Sequence, residues 1–217
     1  MNRLQIKICG VTNVEDARGC AELGADMIGL NFYPKSARYI RPQQAREIIE
    51  AMLRGVRAVG VFVDPTASGV RRIAKSVGLE YVQLHGDVPP ETCRELASEF
   101  RVIRAFSTDG QFKPEDVRSF PECDVIVDAH HAELRGGTGL TCDWLAARAT
   151  LPFARFLILS GGLNAQNVGD AIATVGPHAV DVCTGVETAP GVKDHRAIEE
   201  FISAARAAEH LIVDPSR

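Results

Sequence analysis

Leu4-Gln5-Ile6-Lys7-Ile8-Cys9-Gly10 is a short β-branched run that stops at a thiol and a glycine. Read with period two, Ile6 and Ile8 share one face while Gln5, Lys7 and Cys9 share the other. A strand with one apolar face and three polar residues on the other must aim that second face at something. The interior of a barrel is such a place, with Cys9 at the rim as a base. A free cysteine also serves as a small buried hydrophobe, and Cys9 by itself is open to that reading.

Outward from this run, strand and helix patterns alternate to the end of the chain. Strands are predicted over 26–33, 57–63, 81–85, 102–106, 124–128, 156–160 and 179–184. Helices are predicted over 13–24, 42–53, 66–77, 90–100, 142–149, 165–175 and 195–210, with a weak helical signal over 114–120. Capping residues and glycine stops mark several of these ends, and Pro42 stands near a first helical turn. Eight near-continuous apolar strands, each followed by a helical segment, mean an α/β fold in which helices cover a parallel sheet. Eight units in 217 residues leave about 27 each, with no room for a second domain. A single-domain closed (βα)8 barrel, the TIM barrel, over 1–210 is therefore expected, with 211–217 as a tail. An open doubly wound sheet is the alternative; it lacks the G-x-G-x-x-G turn after the first strand that dinucleotide binding uses.

Composition narrows the function. The formal net charge is −4 and no window gathers Lys or Arg into a stripe, which disfavours nucleic acid and points to a small-molecule partner. No apolar run nears the eighteen or so residues of a membrane span, and no signal-peptide core precedes the first strand. Cys9, Cys20, Cys93, Cys123, Cys142 and Cys183 are widely spaced, as free thiols in a reducing compartment would be. A soluble cytoplasmic protein without metal or cofactor is expected.

Chemistry in such a barrel sits where strands end and βα loops begin. Those positions hold Cys9, Tyr33, Asp64, His85, Phe106, Asp128, Ser160 and Thr184. Ser160-Gly161-Gly162-Leu163-Asn164 after strand seven and Cys183-Thr184-Gly185-Val186-Glu187 after strand eight are two glycine turns on adjacent strands, the recurrent phosphate pocket of barrels. Asp128 closes an apolar strand, where a carboxylate either transfers a proton or caps the loop behind it. His85 orients a substrate or serves as a structural histidine. Arg38, in the loop 35–39, suits bidentate capture of a carboxylate or is solvated loop charge. His130 and His131 lack partners at metal-ligand spacing.

Taken together, Lys7-Ile8-Cys9-Gly10-Val11-Thr12-Asn13, Asn31-Phe32-Tyr33-Pro34-Lys35-Ser36-Ala37-Arg38-Tyr39-Ile40, Val59-Gly60-Val61-Phe62-Val63, Val82-Gln83-Leu84-His85-Gly86, Gly136-Gly137-Thr138-Gly139, Leu159-Ser160-Gly161-Gly162-Leu163-Asn164, Gly185-Val186-Glu187 and Lys193-Asp194-His195 resemble, in order, the phosphoribosylanthranilate isomerase family of tryptophan biosynthesis. The resemblance implies a (βα)8 aldose–ketose isomerase that carries out an Amadori rearrangement without cofactor. It implies Cys9 as base and Asp128 as acid. It also implies Arg38 on the anthranilate carboxylate, Gly161, Gly162, Thr184 and Gly185 on the phosphate, and His85 and Asp181 near the substrate. The chain departs from the family where many members carry serines, having Cys183 and Thr184 before Gly185-Val186-Glu187.

Strand parity further suggests that Lys7 stabilises a Cys9 thiolate. Monomer and homodimer are both compatible with the sequence. The rivals are the related Amadori enzyme of histidine biosynthesis, which resembles a pair of aspartates where this chain has Cys9, and a non-catalytic barrel that only binds a phosphorylated metabolite.

Overall fold

Lys7, in β1 (Gln5–Cys9), stands in register with Met27 of β2 (Met27–Asn31) on one side and with Asp181 of β8 (Ala179–Val182) on the other. That double pairing closes the sheet. Between β2 and β8 run β3 (Arg57–Val63), β4 (Tyr81–His85), β5 (Arg101–Ser107), β6 (Asp124–Asp128) and β7 (Leu157–Leu159), all parallel, so the eight strands form a closed barrel. The computed structural model describes residues 3–52, 54–108, 111–128 and 143–211. The glycine loop 136–139, His130, His131, Cys142 and the tail beyond Leu211 lie outside the described residues.

Among the described residues, seven helices surround the sheet: α1 (Val14–Glu22), α2 (Pro42–Ala51), α3 (Ala67–Val77), α4 (Pro90–Ala97), α5 (Trp144–Thr150), α6 (Val168–Val175) and α7 (His195–Ala208). The weak helical signal between β5 and β6 is a 3₁₀ segment, Pro114–Ser119. Local chemistry fixes the ends. Asn13, Thr66, Asp143 and Asp194 each accept a hydrogen bond from the first turn of the following helix, and Gly78 and Gly176 close α3 and α6 in the left-handed region.

Alternation along each strand divides the side chains between two cores. Residues such as Ile6, Ile8, Ile28, Leu30, Leu84 and Val127 face outward into the layer shared with the helices. Met27, Val59, Ile103, Ala105, Ile126, Ile158 and Ala179 form a separate cluster that plugs the barrel.

Several boundaries differ from expectation. β2 ends at Asn31 rather than 33 because the Asn31 carboxamide intercepts the chain, accepting from Tyr33 N at 2.8 Å and donating to Ser36 Oγ at 3.1 Å. β8 ends at Val182, and Thr184 lies in a 3₁₀ turn, Thr184–Val186. α6 begins at Val168 rather than 165, so the glycines after β7 do not run straight into a helix: Asn164 Oδ1 accepts from Gln166 N and Asn167 N and holds an intervening turn. An antiparallel hairpin, β9 (Glu187–Ala189) with β10 (Val192–Lys193), lies between the predicted strand 179–184 and the predicted helix 195–210, where no element was expected.

Candidate active site

The polar face of β1 is built inside the barrel, as its alternation required. Lys7 has no exposed side-chain surface, and its Nζ donates to Asp181 Oδ1 at 2.8 Å, while Ser160 Oγ donates to Asp181 Oδ2 at 3.1 Å. A buried lysine of this kind is tolerable only with a close counter-charge. Burial opposes its charge, but Asp181 and the Cys9 sulfur outweigh that, so its affinity for the proton rises above the ordinary lysine range.

Gly29 on β2 locates the Cys9 thiol. A Cβ on Gly29 would lie 2.6 Å from Cys9 Sγ and 3.2 Å from Lys7 Nζ, so thiol and ammonium converge over the space that glycine leaves open. The Cys9 thiol is lowered to about 6, first by a hydrogen bond from Cys183 and then by the Lys7 charge, against the opposing effect of burial.

Asp128 ends β6, where its carbonyl accepts from Thr108 N at 3.0 Å. In the closed sheet only β7 and β8 separate β6 from β1, so the two glycine turns sit between Asp128 and Cys9 around the rim. Those turns touch: a Cβ on Gly185 would lie 2.1 Å from Leu163 O, so only glycine allows this approach. Gly161 and Gly162 both have positive φ, 88° and 65°. Among the described residues, no protein group accepts from the backbone N–H of Gly161, Gly162, Leu163, Thr184 or Gly185. Unpaired backbone donors on adjacent glycine turns are the chemistry an anion site needs.

Arg38 is not free loop charge. Its Nε and Nη2 hold Glu187 side-on, the shortest contact being 2.6 Å, which leaves the end-on edge of the guanidinium for another carboxylate. Glu187 also accepts from Lys193 Nζ at 2.9 Å and from Gly191 N at 3.2 Å. Despite burial, Arg38 and Lys193 hold the Glu187 carboxyl below the usual carboxylate range.

His85 lies 2.6 Å, Nε2 to Nε2, from the Gln83 amide, which donates and so leaves the ring proton on Nδ1. Loss of water and then the Lys7 charge lower His85 to about 4, and its ring is neutral at pH 7.

Asp64 and Phe106 fall away from this group. Asp64, at φ 45°, accepts from Asp87 N at 2.9 Å, and Phe106 packs against Phe112 and Phe120. Sequence reasoning quoted Glu187 and Lys193 but gave them no task. The signal was their charge inside apolar surroundings; side-chain exposures of 4% and 0% supply the rest.

A family profile described as N-(5'-phosphoribosyl)anthranilate (PRA) isomerase matches residues 6–204. The chain belongs to that family. The enzyme of that name from Thermotoga maritima is 43% identical over 203 residues, which cover 94% of this chain and 98% of the relative. A Thermotoga maritima crystal structure superposes with a TM-score of 0.88 at 43% identity, covering 94% of this chain and 99% of the other. A family structure in complex with reduced 1-(o-carboxyphenylamino)-1-deoxyribulose 5-phosphate gives 0.83 at 41% identity, over 94% and 99% of the two chains. Another Thermotoga structure is of monomers generated from a dimeric enzyme of the family. The chain is thus an isomerase of tryptophan biosynthesis, converting N-(5'-phosphoribosyl)anthranilate to 1-(2-carboxyphenylamino)-1-deoxyribulose 5-phosphate.

Among the described residues no helix is long and apolar enough to cross a membrane, and no three His, Cys, Asp or Glu side chains are grouped to hold a metal ion.

Proposed function

We propose that Cys9 is the base and Asp128 the acid of this isomerisation, working across the rim on a substrate tethered by its phosphate between them. Asp128 protonates the furanose ring oxygen while the anthranilate nitrogen lone pair forms the iminium, breaking the C1'–O bond. The Cys9 thiolate then removes the C2' proton, and the C–H electrons form the enolamine, which tautomerises to the ketone. Every step moves a proton between protein and substrate, so the reaction calls on no redox group. The observation that carries the assignment is the convergence of the Cys9 sulfur and the buried Lys7 ammonium over Gly29, a placement that favours the thiolate.

The phosphate binds the N–H groups of Gly161, Gly162, Thr184 and Gly185. The anthranilate carboxylate takes the end-on edge of Arg38, and His85 meets the substrate as a neutral ring. Both Asp181 oxygens already have protein partners, Lys7 and Ser160, so its main task is to hold Lys7, and an amine contact would share an oxygen already in use. All these side chains come from one chain, so a monomer and a homodimer would each carry complete sites. The free thiols among the described residues fit a cytoplasmic enzyme.

The test is turnover followed by loss of substrate fluorescence. Cys9→Ala and Asp128→Asn are each expected to lower kcat by about 10²–10⁴-fold with KM within a few-fold of wild type. Wild-type kcat in either variant overturns that residue's role.

A further inference from the structure

Glu187 and Lys193 have no part in the scheme above, yet together they fix the arginine that the scheme aims at the anthranilate carboxylate. Glu187 opens the β9–β10 hairpin and Lys193 closes it, paired across the two strands. Both side chains are buried, and that of Arg38 is 14% exposed. Glu187 Oε2 accepts from Arg38 Nη2 at 2.6 Å and from Arg38 Nε at 3.1 Å. Its Oε1 accepts from Arg38 Nε at 2.9 Å, from Lys193 Nζ at 2.9 Å and from Gly191 N at 3.2 Å, with the Cys183 thiol donating from 3.9 Å. Lys193 Nζ in turn donates to Cys9 O at 2.5 Å and to Cys183 O at 3.4 Å, which ties the hairpin to the ends of β1 and β8.

That frame leaves Arg38 little freedom. Its stem crosses the turn after β1: a Cβ on Gly10 would lie 2.5 Å from Arg38 Cδ and 3.4 Å from Arg38 Cγ, so the arginine passes only because the residue after Cys9 is a glycine. The hairpin is fastened to the same turn, with Thr12 Oγ1 donating to Gly191 O at 2.7 Å. A loose arginine loses rotamer entropy when it meets a ligand carboxylate; one already held at Nε and Nη2 has little left to lose. Arg38 Nη1 has no protein acceptor among the described residues. Two cations share the Glu187 carboxylate, so it orients Arg38 without cancelling the positive charge that an incoming carboxylate would meet.

We propose that Glu187, anchored by Lys193, is a positioning residue that sets specificity: it holds Arg38 with one guanidinium edge turned to the substrate, so that the site selects an arylamine bearing an ortho carboxylate over one without it. The inference rests on the reading of Arg38 as the carboxylate's partner. Glu187 acts through Arg38, since both its oxygens are already engaged by protein donors.

The experiment is calorimetric titration of wild type, Arg38→Ala, Arg38→Lys, Glu187→Gln and the double variant Arg38→Ala/Glu187→Gln with two ligands. One is reduced 1-(o-carboxyphenylamino)-1-deoxyribulose 5-phosphate, and the other is the same compound without its carboxyl group. The ratio of their Kd values reads the carboxylate alone. A charged hydrogen-bonded contact makes that ratio about 10–100 in wild type, and Arg38→Ala should bring it near one. Glu187→Gln should lower the ratio about fivefold or more through lost preorganisation, while the ligand without the carboxyl group binds within about twofold of wild type. In the Arg38→Ala background the same change should leave the ratio where it is. Arg38→Lys keeps the charge but cannot grip Glu187 and the ligand with two edges, so it should lose most of the ratio; it leaves Glu187 in place and reads the clamp even if Glu187→Gln does not fold. An undiminished ratio in Glu187→Gln or in Arg38→Lys, or an equal weakening of both ligands in Glu187→Gln, overturns the proposal. If Arg38→Ala abolishes the ratio and Glu187→Gln keeps it, the carboxylate contact stands and the clamp alone falls. If Arg38→Ala keeps the wild-type ratio, the reading of Arg38 fails and the proposal fails with it.

Discussion

Two layers of the same barrel interior are made from opposite materials. The plug is apolar, with Met27, Val59, Ile103, Ile126, Ile158 and Ala179 each 2% exposed or less. The seam where β1 meets β8 holds Lys7, Asp181, Ser160 and the two thiols, with Gln83 and His85 contributed from β4. Each fully buried branched side chain of the plug contributes about 1.5–3 kcal/mol by leaving water. A buried ion pair roughly offsets its own desolvation, so the seam adds little net stability. On the proposed scheme it serves the chemistry: an ammonium fixed beside Cys9 needs no rearrangement when the proton moves. The barrel keeps stability and reactivity in separate layers.

That separation can be broken most severely at Lys7. Lys7→Met strands Asp181 in the interior, with an expected loss of about 3–5 kcal/mol in urea unfolding. The same change should raise the pH midpoint of Cys9 alkylation. A midpoint equal to wild type would remove Lys7 from the account of the thiolate.

Ile126→Ala makes the complementary cut. It should cost about 2–5 kcal/mol of stability and leave kcat and KM at 25 °C within twofold. A tenfold loss of kcat in a folded variant would show that the plug and the seam are coupled.

Gly185→Ala is smaller and more local. Its Cβ must push Leu163 O away, opening the two glycine turns proposed to hold the phosphate. KM and the inhibition constant of inorganic phosphate should both rise about tenfold, with kcat nearly unchanged. Unaltered phosphate inhibition would overturn that assignment.

The least change is expected on rate from His85→Asn. His85 is lowered to about 4 and is already neutral where Cys9 titrates near 6, so the acid limb of kcat/KM should stay in place. Its effect belongs to stability. The unfolded chain takes up this proton near pH 6.5 and the folded one only near 4, so the histidine's contribution is complete above 6.5 and is lost as pH falls toward 4. Urea midpoints of wild type and His85→Asn should therefore converge as the pH drops through that interval.

Much of this was legible in residue order. Period-two alternation in 4–10 separated Ile6 and Ile8 from Lys7 and Cys9 before any contact was known, and the glycine turns after β7 and β8 supplied the ground for the proposed phosphate site. The boundaries that shifted did so through side chains competing with the backbone, as Asn31 and Asn164 do. Arg38 was recognisable as a carboxylate binder, but its Glu187 clamp was not, because the partners lie 149 residues apart and meet only through the β9–β10 hairpin.

The sequence by itself determined the parallel barrel, which strand faces are polar, and the residues that close each strand, because hydrophobic periodicity and capping act over a few neighbours. Closure of β1 onto β8 was decided only in three dimensions. It pairs Lys7 with Asp181 across 174 residues and sets Cys183 beside Cys9. Whether a buried charge or thiol is stabilised depends on the few ångströms to its partner, and strand register in the closed sheet sets that distance.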